Sequence, residues 1–466
     1  MNLDRHRFIR NILSGFNDIE EWRLGDPALA AALGYPRPYP AEAIDDYGII
    51  FADLVLDSAT GLLACHEVNG PNAVGSDALT GDSRLRSENE ARQTVRRIRE
   101  MGLLGSDGRL VAPVATVHAH QHWKFFRTGG EFYPRVDLFA QALEAMLPGN
   151  AIGTYAAGDP MGGEPVAVVM GDVPSVAAHI GIDPDTRRFN YRGRPMVFMG
   201  NPNLLPELIR IGKLRRDGRR TVDADLRILH AWRLAGTFHD KGLQQRLFAG
   251  TGIRPLRHFS AGSRDEALTL ARDMLTGGPV VLKPSDTSGG TGVQVVIPGM
   301  SEDAIAGRID ALLAECLAKY GENVEAAIYP IGGFEFVRST GYPMADGDHL
   351  WDLRFALLFE PGSALAFPVS LRFAPQPFDP RTFHLERDQW ISNVSGRRDT
   401  LLKSGMDGEV LSRVGMTPEL VEAAMQACVR WTAKAWDSAA RDSGAVYEDA
   451  CEARSESFYP VEKFMA

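Results

Sequence analysis

Pro279–Val296 reads PVVLKPSDTSGGTGVQVV. An apolar strand ends at Lys283, a Ser/Gly loop follows, and a second apolar strand leaves it. Glycine has no Cβ, so backbone N–H groups of such a loop can close over phosphate oxygens. A lysine at the foot of the loop supplies a point charge for them. There is no GxxxxGK, and a strand stands where a dinucleotide-binding fingerprint requires a helix, so neither of those phosphate loops is present. An ordinary glycine-rich hairpin shares the local pattern, and the surroundings have to decide.

Upstream, Phe238–Leu256 reads FHDKGLQQRLFAGTGIRPL and puts Lys241 at a helix start, before a Gly-Ile-Arg-Pro exit towards a strand. Taken singly, Lys241 reads as a solvated surface lysine. Taken together, DK, GIRP and VVLKPSDTSGGTGV resemble the nucleotide-binding lobe of the ATP-grasp superfamily. The resemblance implies that Lys241 and Lys283 contact ATP phosphates. It also implies that the segment from Ser285 to Gly292 is a lid, with Ser285, Ser288, Gly289, Gly290 and Gly292 facing the nucleotide.

ATP-grasp enzymes also use magnesium, a hard cation that takes oxygen ligands. Phe51–Gly75 reads FADLVLDSATGLLACHEVNGPNAVG, two short strands joined by the turn Ser58-Ala59-Thr60-Gly61. Glu67 and Asn69 are two apart on one strand face, and the hairpin brings Asp53 alongside. This matches the family's acidic hairpin, so Asp53, Glu67 and Asn69 are the implied ligands of about two Mg²⁺ ions. Asp286, just after the loop lysine, is the nearest match to a third acid. Without metal, the carboxylates are expected to repel and raise at least one pKa. A surface hairpin with polar ends is the plainer reading of the same residues.

The hairpin stands before the lysine lobe, whereas the common ATP-grasp order places it after. Circular permutation accounts for this, and the motif order resembles eukaryotic-type glutathione synthetases and glutathionylspermidine synthetases. Residues 48–70 are then expected in one sheet with 352–373, and a helix over 417–440 is expected to end near the start of the Asp53 strand. The stretches DLRFALLFEPGSALAFPVSLRFAP (352–375) and WISNVSGRR (390–398) resemble the acceptor-lobe strands of ATP-grasp glutamate ligases. Arg354, Arg372 and Asn393 are accordingly implied as phosphate and acyl-phosphate contacts, a guanidinium fork suiting a phosphoryl oxygen. Either arginine reads equally well as half of a structural ion pair. Asn72, Ser76 and Asp77 stand where related synthetases bind substrate, although such residues also cap turns. VHAHQHW puts His118, His120 and His122 on one strand face, a strip that is solvated, substrate-facing or, less often, metal-binding.

The 466 residues, 44% hydrophobic and 24% charged, describe a globular chain of several domains. A net charge of −10 argues against a duplex nucleic-acid partner. The four cysteines form no CxxC, and no apolar run is long enough for a membrane span, so a cytoplasmic setting is expected. The fold class is α+β: two ATP-grasp lobes with an accompanying α/β pre-ATP-grasp-like domain, circularly permuted. Residues 1–100 complete the metal-binding lobe, 101–225 form the α/β substrate domain, 226–325 the nucleotide-binding lobe, and 326–466 the rest of the C-terminal lobe. The implied activity is ATP-dependent ligation of a small-molecule carboxylate to an amine, such as an amino acid or small peptide, through an acyl phosphate. An ATP-grasp kinase and a non-catalytic nucleotide-binding regulator are the alternatives, and a homodimer is left open.

Overall fold

The computed structural model describes residues 37–70, 82–120, 132–200, 204, 207–208, 211–213, 234, 237, 240–284, 292–320, 331–392, 401–405 and 408–441. The chain opens with strands β1 (Arg37–Ala41), β2 (Gly48–Leu56) and β3 (Leu63–Asn69), then helix α1 (Asp82–Glu100). An α/β unit follows: β4 (Val114–His120), α2 (Phe132–Met146), β5 (Ile152–Ala156), β6 (Val166–Asp172), α3 (Val173–Ala177), β7 (Ile180–Ile182), β8 (Phe189–Tyr191) and β9 (Arg194–Met199). Next come α4 (Lys241–Phe248), β10 (His258–Ala261), α5 (Arg264–Leu275), β11 (Val280–Pro284), β12 (Gln294–Val296), α6 (Glu302–Tyr320) and β13 (Ile331–Glu335). The chain finishes with β14 (Tyr342–Met344), β15 (Gly347–His349), β16 (Trp351–Glu360), β17 (Gly362–Phe373), β18 (Leu401–Ser404), α7 (Gly408–Arg413) and α8 (Pro418–Arg441). Among the described residues no helix is long and apolar enough to cross a membrane.

The large sheet runs β1-β17-β16-β2-β3, with β18 also on β17, so strands from both ends of the chain interleave. The expected pairing of 48–70 with 352–373 is present: β2 lies antiparallel to β16, with Asp53 opposite Arg354. Side chains alternate across a strand, and here the alternation separates two jobs. Ile50, Ala52, Leu54 and Leu56 enter a core with Leu353, Phe355 and Leu357, whereas Ile49 and Phe51 face the other way with Ala356 and Leu358. Asp53 belongs to that second face.

Helix α8 covers the first face. Val421, Ala424, Met425, Cys428, Trp431 and Ala435 recur at helical spacing and all lie in that core. Near its end, Trp436 Nε1 donates to Asp45 Oδ1 at 3.0 Å, three residues before β2 begins. The expectation that this helix finishes beside the Asp53 strand therefore holds.

A second sheet, β10-β13-β11-β12, is antiparallel throughout. Helices α5 and α6 pack Ala267, Ala271, Ile305, Ile309 and Leu312 against Val280, Leu282 and Val296. Lys283 projects from the opposite face of β11. The third sheet, β5-β6-β4-β9-β8-β7, is parallel from β5 to β9 and antiparallel beyond. Helices α1 and α2 cover it through Ala91, Val95, Ile98, Val136, Phe139 and Leu143. Helix α1 also touches the large sheet, where Asn89 Nδ2 donates to Phe359 O at 3.0 Å.

Candidate active site

The acidic hairpin carries a bulge. Asp53 pairs with Glu67 and Leu54 with Cys65, so His66 is one residue too many on β3. A bulge re-aims the side chains beside it. Cys65 and Val68 stay in the core while Glu67 and Asn69 turn to the face of Asp53. His66 is the extra residue, and burial, then the charge of Lys283, pushes its pKa down to about 3. Strict alternation along the sequence would put His66 and Glu67 on opposite faces, so the sequence alone does not mark His66.

Two consecutive glutamines hold the outer edge of β3. From α4, Gln244 Oε1 accepts from Val68 N at 2.9 Å and its Nε2 donates to Val68 O at 3.0 Å. Gln245 Nε2 donates to Cys65 O at 3.0 Å, and its Oε1 accepts from Leu256 N at 2.9 Å. The amides thus stand in for a neighbouring strand and cover an edge that would otherwise be unpaired. Nothing in the local sequence pattern marks them, because their partners lie some 180 residues earlier. Asp240 caps the same helix, accepting from Leu243 N at 2.7 Å.

That staple fixes Lys241 relative to Glu67. Lys241 is not the solvated lysine its sequence suggests; it is 7% exposed, and its Nζ lies 3.6 Å from Glu67 Oε1. Lys283 stands near both. Burial lowers its pKa; the charge of Glu67 opposes that shift and that of Lys241 adds to it. Its ammonium also lies 5.6 Å from the Phe334 ring centroid. The two lysines, remote in sequence from the hairpin, share one locus with its glutamate.

Behind Glu67 lies a buried charge network. Asp53 accepts from Arg354 Nε at 2.7 Å and Arg354 Nη2 at 2.8 Å, and Arg372 Nη2 stands 2.9 Å from its Oδ2. Arg372 Nε donates to Asp352 Oδ1 at 2.6 Å, and Ser392 Oγ donates to Asp352 Oδ2. Burial opposes ionisation of Asp53, but the two guanidinium groups win and hold its carboxyl well below the usual range. This reverses the expected repulsion at Asp53. Asp352 moves the other way, pushed up first by burial although Arg372 pulls it down. Both arginines are therefore ion-paired, the alternative their sequence left open. Among the described residues of the locus, four cations (Arg354, Arg372, Lys241 and Lys283) face three carboxylates (Asp53, Asp352 and Glu67). The excess of positive charge favours an anionic ligand.

A magnesium ion fits part of this donor set. An ionised carboxylate only accepts, so Asn69 must present its amide nitrogen to Asp53 Oδ2, at 3.0 Å, and its oxygen elsewhere. The half-buried carboxylate of Glu67 and the amide oxygen of Asn69 are hard donors suited to Mg²⁺. Asp53 has its oxygens on guanidinium groups instead. Among the described residues no group of three or more His, Cys, Asp or Glu side chains could hold a metal.

Other expected residues fall differently. Gly292 has φ +70°, and a Cβ there would stand 2.7 Å from Cys316 Sγ and 3.0 Å from Pro284 Cγ, so it is needed for packing. His118 is 1% exposed between the rings of Phe139 (4.4 Å) and Phe198 (5.0 Å). It is part of the third sheet's core and not a solvated strip, because Phe139 of α2 closes over that face of β4. Ser285, Asp286, Ser288, Gly289, Gly290, Asn393, Asn72, Ser76, Asp77 and His122 lie outside the described residues.

No protein-family model matches this chain, and no curated protein does. Several solved structures are similar over much of its length. A glutathione synthetase-like effector from Globodera pallida, in its apo form, is 10% identical, with 79% of each chain covered and a TM-score of 0.31. D-alanyl-alanine synthetase A from Vibrio cholerae is 10% identical over 70% of this chain and 100% of that one, with a TM-score of 0.30. The ATP-grasp ligase PsnB, complexed with minimal precursor, is 12% identical over 59% of this chain and 99% of its own, with a TM-score of 0.25. Likenesses this distant carry no argument, and the functional reading rests on the residues.

Proposed function

We propose that this chain is an ATP-dependent carboxylate–amine ligase of the ATP-grasp type. The observation that carries the reading is the meeting of Lys241 with Glu67 at 3.6 Å, with Lys283 near enough to feel both. Strand β11 with Lys283, helix α4 with Lys241 and the hard-oxygen hairpin come from three separated segments to one locus, where the described cations outnumber the described carboxylates.

In this reading residues 226–325 are the nucleotide-binding lobe, and 1–100 with 326–466 form the lobe that bears the metal. Residues 101–225 are the substrate domain. Circular permutation is supported by the hairpin of β2 and β3, which stands near the start of the described chain yet joins the late strands through the β2–β16 pairing. The buried thiols of Cys65, Cys316 and Cys428 suit a cytoplasmic setting.

A free carboxylate has no good leaving group; phosphorylation by ATP creates one, and an amine then displaces phosphate to form an amide. Lys241 and Lys283 would hold phosphoryl oxygens as charge moves between them. Arg354 and Arg372 would orient the acyl oxygens, a preorganised fork needing little rearrangement. Magnesium, held by Glu67 and Asn69, would spread phosphate charge. His66, with its pKa near 3, would meet substrate as a neutral imidazole.

The test is a screen for free phosphate over pairs of amino acids and small peptides with Mg²⁺–ATP. ADP and phosphate released only when a carboxylate and an amine are both present supports the ligase. A stable phosphorylated product from one substrate would replace it with a kinase, and nucleotide binding without turnover would replace it with a regulator.

A further inference from the structure

The arginines of the site are not free to meet a ligand in any direction, because carboxylates hold them from behind. Asp53 Oδ1 takes Arg354 Nε, and Oδ2 takes Arg354 Nη2 and Asn69 Nδ2, with Arg372 Nη2 at 2.9 Å. Three of these four donors crowd Oδ2, so its two lone-pair directions are taken. Asp53 is 2% exposed, and a divalent cation at bonding distance from it would press against two guanidinium groups with almost no water between them. Arg372 is held at a second point, its Nε on Asp352 at 2.6 Å, and Asp352 is itself held by Ser392. With Nε and Nη2 committed, Nη1 is the Arg372 nitrogen without a partner among the described residues.

We infer that Asp53 is a positioning residue: with Asp352 it aims Arg354 and Arg372, the metal is held without it from Glu67 and Asn69, and the Nη1 edge of Arg372 receives a phosphoryl or carboxylate oxygen of the substrate. This rests on the ligase reading for the identity of the metal and nucleotide, but not for the arginine geometry. Aspartate suits the role on this strand because Asp53 sits directly opposite Arg354 in the β2–β16 register, while Asp352 sits opposite Arg372 in the β16–β17 register. The sheet therefore sets both pairs, and a guanidinium fixed at two nitrogens offers its third edge in one direction.

The full-length chain and its Asp53→Asn, Asp352→Asn and Glu67→Gln variants separate the roles. Mn²⁺ affinity is read by electron paramagnetic resonance with a non-hydrolysable ATP analogue, and pyrophosphate affinity by calorimetry, on variants whose circular dichroism is native. The two aspartate variants should behave alike, keeping Mn²⁺ affinity within about twofold while binding pyrophosphate about tenfold or more weakly, as when a charge-assisted hydrogen bond is misaligned. Glu67→Gln should lose Mn²⁺ affinity by about tenfold or more, as a site short of one charged ligand does. A purely structural role would not divide the two ligands in this way.

Asp53→Asn losing Mn²⁺ as Glu67→Gln does, with pyrophosphate binding intact, would overturn the inference. Should an aspartate variant fail to fold, the position of Mn²⁺ in crystals of the unsubstituted chain decides. A metal bonded to Asp53 overturns the inference, and a metal on Glu67 and Asn69 with Asp53 still on its arginines supports it. If the unsubstituted chain binds no Mn²⁺–nucleotide, the ligase reading fails, and the shared pyrophosphate defect alone judges the arginine role.

Discussion

Gln244→Leu removes the staple between α4 and the hairpin while nearly keeping side-chain volume. Gln244 is fully buried and its amide serves Val68 N (2.9 Å), Val68 O (3.0 Å) and Thr237 O (3.2 Å). Leucine leaves these three backbone groups without their partner in a water-poor interface, each costing about 1–3 kcal/mol. Burial of the apolar side chain returns about 1.5–3 kcal/mol, and the centres of these ranges leave a net loss of about 4 kcal/mol. With a urea slope of about 1–3 kcal/mol per molar, the midpoint of the transition that unfolds this region should fall by about 1 M or more. Trp431, whose Nε1 donates to Gln244 O at 3.0 Å, lies beside the change, so fluorescence is a suitable readout. Turnover should fall as well, since Val68 lies between Glu67 and Asn69 and Lys241 is one turn from Gln244. Gln244→Glu should do similar damage, because a carboxylate cannot donate to Val68 O. An unchanged urea midpoint and an unchanged ATP requirement in Gln244→Leu would refute the staple.

Lys283→Met should abolish ATP-dependent turnover yet stabilise the nucleotide-free protein at pH 7; normal activity at low ATP would remove Lys283 from the phosphate site. The sign follows from its lowered pKa, caused by burial and by Lys241 and opposed by Glu67, with smaller opposing effects from Cys65 and Asp53. The folded state disfavours the ammonium, so the lysine costs stability while it is charged, and the gain in melting temperature should shrink as pH rises towards the ordinary value of 10.5. Lys241→Ala should mainly raise the ATP requirement in steady-state kinetics, and a selective loss of kcat at saturating ATP would contradict that role. Gly292→Ala should cost about 1–3 kcal/mol in denaturant unfolding, because it combines φ +70° with a contact 2.7 Å from Cys316 Sγ; a neutral result would return Gly292 to the lid alone.

Much of the local architecture is legible along the chain. An apolar run broken only by Asp53 marks β2, the turn ending at Gly61 (φ +67°) marks the hairpin, and the two apolar runs around the glycine loop become β11 and β12. The lysines, the acidic hairpin and the two arginines are also visible, since their residue types and short spacings are local signals. Strand period and turn chemistry depend on neighbours in sequence, which is why they are legible there.

What the residues do to one another was decided by tertiary structure. Whether Arg354 and Arg372 meet a ligand or a carboxylate depends on the β2–β16–β17 register, which joins residues about three hundred apart in sequence. A single bulge inserts His66 beside Glu67 in β3, and no periodicity predicts a departure from periodicity. Gln244 and Gln245 read as ordinary helix residues until β3 supplies an open edge, and His118 reads as polar until Phe139 and Phe198 enclose it. The amino-acid sequence by itself determined which elements form and which chemical groups are present; tertiary pairing decided their partners, because hydrogen bonding and burial energies depend on distance in space and are indifferent to distance along the chain.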